Sequence, residues 1–191
     1  MPSIASKRVP RDRVIASASP TRPALDTKYG TTDFMRHYFF GGGRPVDLGS
    51  VGLLGRFRRA RSVRNAVQTY RWKLITRARG DARAICRNVS AGVISRTLTD
   101  RDTTVTDVTQ EPGLFAVGRS TFFRNARYEF IVDCQRLIFR LEGLLTFEIR
   151  DRFEDALDLA NRDLANQDVA GAKPYSITAR WTQRLDWSER L

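Results

Sequence analysis

The chain has 191 residues, of which 41% are hydrophobic and 10% aromatic, enough for one domain with a substantial core. No apolar run approaches the roughly 20 residues that a membrane-spanning helix needs, and the basic N-terminus lacks the apolar stretch of a secretory signal peptide. We therefore expect a protein that is made in the cytoplasm and that, if it leaves the cell, is exported or injected without a cleaved signal.

Positive charge is concentrated in the first half of the chain. The net charge is +12, and residues 1–100 contain 20 Lys and Arg against 6 Asp and Glu. Residues 56–87 contain 11 cations and one acid, and ten of these cations are Arg, whose guanidinium binds phosphate or carboxylate in bidentate fashion. We expect a polyanionic partner: nucleic acid, an anionic membrane, a lipid-linked phosphate, or an acidic immunity or chaperone protein.

The N-terminal residues 1–33 are expected to form a flexible basic arm in front of a single α+β domain, residues 34–191. The arm contains four Pro and little apolar sequence. An aromatic segment, residues 34–40, precedes three consecutive Gly and predicts a helix or strand that docks on the core and ends at the glycines. His37, the only histidine, lies in this segment and is expected to be a packed side chain.

A basic amphipathic helix is predicted from Arg56 to Arg79, where apolar residues recur at steps of three and four. Gly80 interrupts the pattern, and Asp81 is expected to cap a second helix that ends near Gly92. The apolar positions are Phe57, Ala60, Val63, Val67, Tyr70, Leu74 and Ala78. The candidate anion-binding residues are Arg56, Arg58, Arg59, Arg61, Arg64, Arg71 and Lys73.

An alternative interpretation of this helix is a surface element whose arginines pair with the acidic segment 151–168. The two cysteines, Cys86 and Cys134, lack CxxC spacing, and with a single histidine they do not indicate a zinc site. We expect two buried free thiols, with a disulfide between them as the alternative.

The second half of the chain predicts an antiparallel sheet, so that the division runs between a helical part, 34–100, and a sheet part, 101–191. Residues 125–133 and 136–149 alternate apolar and polar side chains across a short turn, which predicts a hairpin with one buried and one exposed face. A last strand follows residue 174. Because neither half is stable alone, the helical half is expected to pack on the sheet.

Acidic side chains crowd the segment that follows the long strand ending at Ile149. Carboxylates at a strand exit can act as a general acid or base or bind a divalent cation. The alternative is the solvated face of an amphipathic helix. The candidate catalytic residues are Asp151, Glu154, Asp155, Asp158 and Arg162, with Asp151 and Asp155 as candidate metal ligands.

The order of features from Arg136 to Trp187 resembles the catalytic end of colicin M-like bacteriocins and related polymorphic-toxin domains. Those domains have a strand with a central Gly, an Asp-x-Tyr-Asp loop, a His-Arg pair and a Gly-x-Pro-Tyr-x-Ile strand. The segment from His37 to Val46 resembles the aromatic–glycine segment of such domains. The matching residues here are Gly143 within strand 141–149, then Asp151-Arg152-Phe153-Glu154, Asn161-Arg162 and Ala172-Lys173-Pro174-Tyr175-Ser176-Ile177.

The resemblance implies a secreted or injected bacterial antagonism effector, because the family enzymes cleave the lipid II cell-wall precursor at its phosphate linkage with a divalent metal. The acidic residues would act as metal ligands or general base, and Arg162 would hold a phosphate. This chain has Phe153, Glu154 and Asn161 where the family motif has Tyr, Asp and His. Two alternatives remain: a non-enzymatic structural protein, such as a phage or nucleoprotein component, that binds nucleic acid through residues 56–87, and a membrane-active toxin.

Overall fold

The computed structural model describes residues 29–89, 92–153 and 173–191, in which three helices pack against one face of a five-stranded sheet. This confirms the predicted α+β class. The helices are α1 (Thr31–Phe40), α2 (Leu54–Arg59) and α3 (Arg61–Asn88), and the strands are β1 (Val46–Asp47), β2 (Val93–Asp107), β3 (Arg119–Asp133), β4 (Ile138–Phe153) and β5 (Tyr175–Arg190), with a short 3₁₀ turn at Phe115–Val117.

The sheet has the order β1-β5-β4-β3-β2, in which β2 to β5 form an antiparallel meander and β1 pairs in parallel with β5. The predicted hairpin is confirmed as β3 and β4, joined by a turn over residues 134–137. Gly143 of β4 lies opposite Tyr128, and a Cβ at Gly143 would collide with the backbone of Arg127 and Tyr128. The two strands approach this closely only because position 143 has no side chain.

The core lies between α3 and the inner face of the sheet. Phe147 on β4 stacks against Phe122 at 5.7 Å and against Trp181 at 5.3 Å between ring centroids. Tyr70 of α3 meets Phe147 edge-on at 6.4 Å. The helical periodicity and the strand alternation therefore identified the two surfaces that meet. Of the seven apolar positions predicted on the helix, Val67 is half-buried and the others are buried: Phe57, Ala60, Val63, Tyr70, Leu74 and Ala78.

The helix boundaries differ from the prediction. α3 continues through Gly80 without a second cap, and the break falls at Ala60, whose backbone is extended (φ −54°, ψ 138°). Ala78 and Ala82 are both buried, so the apolar stripe continues past Gly80, and packing outweighs the roughly 1 kcal/mol propensity cost of a helical glycine. β2 begins at Val93, inside the part of the chain predicted to be helical.

The prediction of free thiols was wrong, because Cys86 and Cys134 form a disulfide with a Cα–Cα distance of 5.1 Å. The uninterrupted α3 carries Cys86 to the β3–β4 turn, where the Cys134 N–H donates to the carbonyl of Gly92 at 3.1 Å. The bond closes a separation of 48 residues. In the chain-entropy treatment of the unfolded state, a loop of this length corresponds to about 4 kcal/mol of stabilisation.

The described chain begins slightly before the predicted start of the domain at Phe34. α1 starts at Thr31, and the Asp33 carboxylate accepts a hydrogen bond from the Gly30 N–H at 2.9 Å. Tyr29 packs edge-on against Phe34 at 5.0 Å. The last residues of the segment predicted as an arm therefore belong to α1, and residues 1–28 lie outside the described residues.

Replacing Phe147 with Ala is expected to lower the free energy of unfolding by about 3–5 kcal/mol, because it removes the centre of the aromatic stack and leaves a cavity. Its matched control is Glu148→Ala on the opposite face. The Glu148 carboxylate pairs with the largely exposed Arg150, and such pairs contribute about 0–1 kcal/mol. Urea denaturation measures both, and equal losses would contradict the inward orientation of Phe147.

Candidate functional site

The end of β4 and the start of β5 form an aromatic edge of the sheet, next to α1. Phe153 lies opposite Tyr175 in the strand register, and their rings stack at 5.3 Å. The Tyr38 ring of α1 meets Phe153 at 5.5 Å. Asp151, the first candidate catalytic residue, lies opposite Ile177 in the same pair of strands. The aromatic edge therefore places one candidate carboxylate beside a closely packed group of rings.

His37 is a packed side chain at this edge, as expected from the sequence. Its ring meets that of Tyr175 at 4.6 Å, and its Nε2–H donates to the carbonyl of Arg44 at 2.7 Å. The Tyr175 hydroxyl donates to the carbonyl of Phe34 at 3.0 Å. Burial raises the pKa of Tyr175, so its hydroxyl stays protonated and can hold this contact at neutral pH.

The glycine turn after α1 packs against the residues that precede β5. Gly43 adopts φ +79°, and a Cβ there would lie 3.3 Å from the carbonyl oxygen of Pro174. The Lys173 N–H donates to the carbonyl of Tyr38 at 3.0 Å. The two sequence segments that carry the bacteriocin resemblance, 37–46 and 136–187, are therefore in direct contact at this edge.

Of the five candidate catalytic residues, Asp151 lies within the described part of the chain. Asp151 is half-buried on the core-facing side of β4 and makes contacts with its surroundings. Within the described residues, no group of three potential metal ligands is close enough together to hold an ion. The metal site at Asp151 and Asp155 thus remains a prediction. The other candidates, Glu154, Asp155, Asp158 and Arg162, lie outside the described residues.

Some of the candidate anion-binding residues already bind other groups of the protein, and others form no ion pair among the described residues. Lys73 pairs with Asp102 at 2.9 Å, and the Arg56 guanidinium donates to the carbonyl of Pro112 at 3.2 Å. Arg71 is half-buried, and the Arg61 side chain is exposed. The unpaired group lies on α2 and the first turn of α3. In the part of the chain that the structure describes, no ion pair engages these exposed side chains: Arg58, Arg59 and Arg64.

The acidic partners of the basic helix lie on β2 and β5, whereas the sequence suggested partners in the acidic segment 151–168. Arg79 binds Glu189 of β5 through two hydrogen bonds of 2.7 and 2.9 Å, and Arg77 pairs with Asp100 of β2 at 3.3 Å. The hydrogen bond from Arg79 lowers the pKa of Glu189. Because side chains alternate along a strand, Asp100 and Asp102 lie on the same side of β2. This spacing could have predicted an acidic pair that faces the helix.

A buried arginine was also missed. Arg124 lies between Phe122 and Ala126 on the inward face of β3 and is 7% exposed. Its Nη2 pairs with Asp102 at 3.0 Å, and its Nη1 donates to the carbonyl of Ala66 in α3 at 3.1 Å. Hydrogen bonding from Lys73 is the main cause that lowers the pKa of Asp102, with Arg124 contributing through its charge. In the sequence, Arg124 occupies a position where the alternation of β3 calls for an apolar residue. A buried charge needs polar partners, so this position could have predicted an ion pair.

Comparison with known proteins finds similar solved structures. No protein-family model matches the chain, and the curated proteins contain no significant match. PaeM, described as a colicin M-like bacteriocin from Pseudomonas aeruginosa, matches at TM-score 0.49 and 15% identity over 98% of this chain and 60% of its own. Syringacin M from Pseudomonas syringae pv. tomato matches at TM-score 0.41 and 17% identity, over 84% and 52%.

PaeM and syringacin M are both described as bacteriocins. A third match, pectocin M2, has TM-score 0.36 and 13% identity over 84% of this chain and 49% of its own. This chain therefore spans about half to three fifths of the length of the structures it matches. PaeM is described as colicin M-like, which is the group that the sequence resembles. Among the described residues, no helix has the length and apolar character needed to cross a bilayer.

The unpaired arginines are expected to carry affinity for a polyanion. Replacing Arg58, Arg59 and Arg64 together with Gln should weaken binding to duplex DNA or to anionic vesicles and flatten its salt dependence, because fewer counterions are released. Fluorescence anisotropy and vesicle co-sedimentation at several salt concentrations measure this. Salt-independent binding by the unmodified protein, or an unchanged slope in the variant, would contradict the assignment.

Proposed function

We propose that this chain is a bacterial antagonism effector, a toxin domain of the colicin M kind, that hydrolyses a phosphate linkage in a lipid-linked cell-wall precursor. The main support is the contact between the two segments that carry the resemblance. His37 packs on Tyr175, and Gly43 packs on Pro174. Two segments that are distant in sequence and that both resemble the family support a shared site more strongly when they lie at the same edge of the sheet.

In this proposal Asp151 supplies a carboxylate where β4 leaves the sheet. A half-buried carboxylate next to a phosphate linkage can take a proton from an attacking water or help to bind a cation. Arg162 would hold a non-reacting phosphate oxygen, as the resemblance implies. The stacked pair Phe153–Tyr175 and the Tyr175 hydroxyl bond to Phe34 would keep the end of β4 in a fixed position relative to α1.

The disulfide supports action outside the cytoplasm. Disulfides form and persist in oxidising compartments and are rare where thiol reductants act. Cys86 and Cys134 join α3 to the β3–β4 turn, so oxidation would stabilise the domain after delivery. A chain made in a reducing compartment and used in an oxidising one would gain this stability at its destination.

A second candidate function is non-enzymatic polyanion binding, which is favoured by the exposed Arg58 and Arg59 of α2 and Arg64 of the first turn of α3, none of which forms an ion pair among the described residues. Such a group can bind the phosphates of nucleic acid without base recognition. Preference for duplex DNA over anionic vesicles in the binding experiment, together with absence of toxicity, would favour this function over the proposed toxin.

Replacing Asp151 with Asn is expected to abolish toxicity when the protein is directed to the periplasm of a sensitive cell, because Asn can neither accept the proton nor supply a charge. The control variant, Glu148→Gln, changes a carboxylate of the same strand on the opposite face and should remain toxic. Growth inhibition and thermal melting measure the two variants. Full toxicity of a folded Asp151→Asn protein would contradict the role of this carboxylate.

A further inference from the structure

Within residues 29–89, 92–153 and 173–191, no helix covers the face of the sheet opposite α3. Each described helix packs through the inner face: α1 through Tyr38 on Phe153, α2 through Phe57 on Trp181, and α3 through Tyr70 on Phe147. The opposite, outer face of β2 to β5 contains a shallow groove of about 1040 Å³. This volume is at the upper end of the range of small-ligand sites.

Three cations of the groove form no ion pair among the described residues. Arg101, Arg127 and Arg180 line it and are exposed, and no carboxylate among the described residues forms an ion pair with them. Asp100 and Asp102 also border the groove, but their carboxylates are on the α3 side of the sheet and are already engaged there. Asp102 pairs with Lys73 and Arg124, and Asp100 pairs with Arg77. The groove therefore has positive charge that its own acids do not neutralise.

The strand register sets the spacing of these cations. Arg101 lies opposite Asn125, and Arg127 lies opposite Thr99. Arg101 and Arg127 are therefore diagonal neighbours, a relation in which the Cα atoms are about 7–8 Å apart. Two guanidinium groups at that spacing can converge on one anion. A phosphate has up to two charges and three terminal oxygens, whereas a carboxylate has one charge and two oxygens. The pair therefore suits a phosphate group better than a carboxylate.

Neutral hydrogen-bonding groups lie between this pair and the third arginine. Asn125 lies opposite Thr146 in the next strand, in the same row as Arg101, and both line the groove. Arg180 is on β5, three strand spacings of about 4.8 Å from β2. Hydroxyl and amide groups in this arrangement can bind the hydroxyls of a sugar while the arginines bind its charged substituents.

We propose that the outer face of the sheet binds a phosphorylated glycan, in a site separate from the aromatic edge and independent of the proposed toxin activity. A single-stranded nucleic acid would need exposed rings for base stacking, but the only ring in the groove, Phe123, is covered by the Arg150 guanidinium at 5.1 Å. A protein partner would need an apolar centre, and Leu144 is the only aliphatic residue larger than Ala in the lining.

The test uses phosphorylated mannopentaose and the same oligosaccharide after phosphatase treatment, with titration followed by calorimetry on the full chain. The unmodified protein should bind the phosphorylated form at least about tenfold more tightly, since the phosphate adds charge-assisted hydrogen bonds that the dephosphorylated sugar lacks. The triple variant Arg101→Gln, Arg127→Gln and Arg180→Gln should lose this preference and keep its melting temperature.

The matched control removes the same charge from the same face outside the groove, through Arg119→Gln, Arg140→Gln and Arg190→Gln, and should retain the preference. Absence of binding by the unmodified protein, equal losses in both triple variants, or tighter binding of oligothymidylate than of the phosphorylated sugar would overturn the proposal. None of these outcomes depends on toxicity, so failure here is distinguishable from failure of the proposed function.

Discussion

The packing of Tyr70 against the sheet determines where α3 lies, and the accessible surfaces of the domain follow from that position. Tyr70 is fully buried, meets Phe147 edge-on and lies 5.1 Å beneath the Arg124 guanidinium. Its hydroxyl donates to the carbonyl of Asp100 at 3.2 Å. Burial, the largest cause, raises the pKa of Tyr70, so the hydroxyl remains a donor at any physiological pH. The Tyr70 side chain thus contacts both the aromatic core and the buried guanidinium of Arg124.

This arrangement explains the unequal use of the basic helix. A buried arginine needs charged and polar partners, and Arg124 finds them in Asp102 and in the Ala66 carbonyl of α3. The acids that face the helix also bind Lys73 and Arg77, which fastens the middle of α3 to β2. The cations of α2 and of the first turn of α3, by contrast, form no ion pair with the described acids. All described helices pack on this one face, and none of them covers the opposite face of the sheet.

Much of the fold could be predicted because the periodic patterns were strong. Alternation over residues 125–149 identified the β3–β4 hairpin, and steps of three and four residues identified the buried stripe of α3. The boundaries were less predictable because tertiary contacts set them. Gly80 suggested a helix break, but the buried Ala78 and Ala82 on either side hold the helix together.

The sites were harder to predict than the fold, because they depend on contacts between distant segments. The Cys86–Cys134 bond required the full length of α3, and the Arg124 network required the register of β2 against β3. The meeting of His37 with Tyr175 joins residues 138 positions apart. Local sequence indicated chemically suitable residues in each case, such as Asp151 at the end of a strand, but only the fold shows which of them are neighbours.

The most direct test of this account is a double-mutant cycle on Tyr70→Leu and Arg124→Met, with the free energy of unfolding measured by urea denaturation. If the guanidinium and the ring together hold α3 on the sheet, the two losses should be non-additive, with a coupling energy of about 1–2 kcal/mol for a desolvated cation–π contact. Losses that add within about 0.3 kcal/mol would show that the two side chains stabilise the domain independently, and would contradict the account.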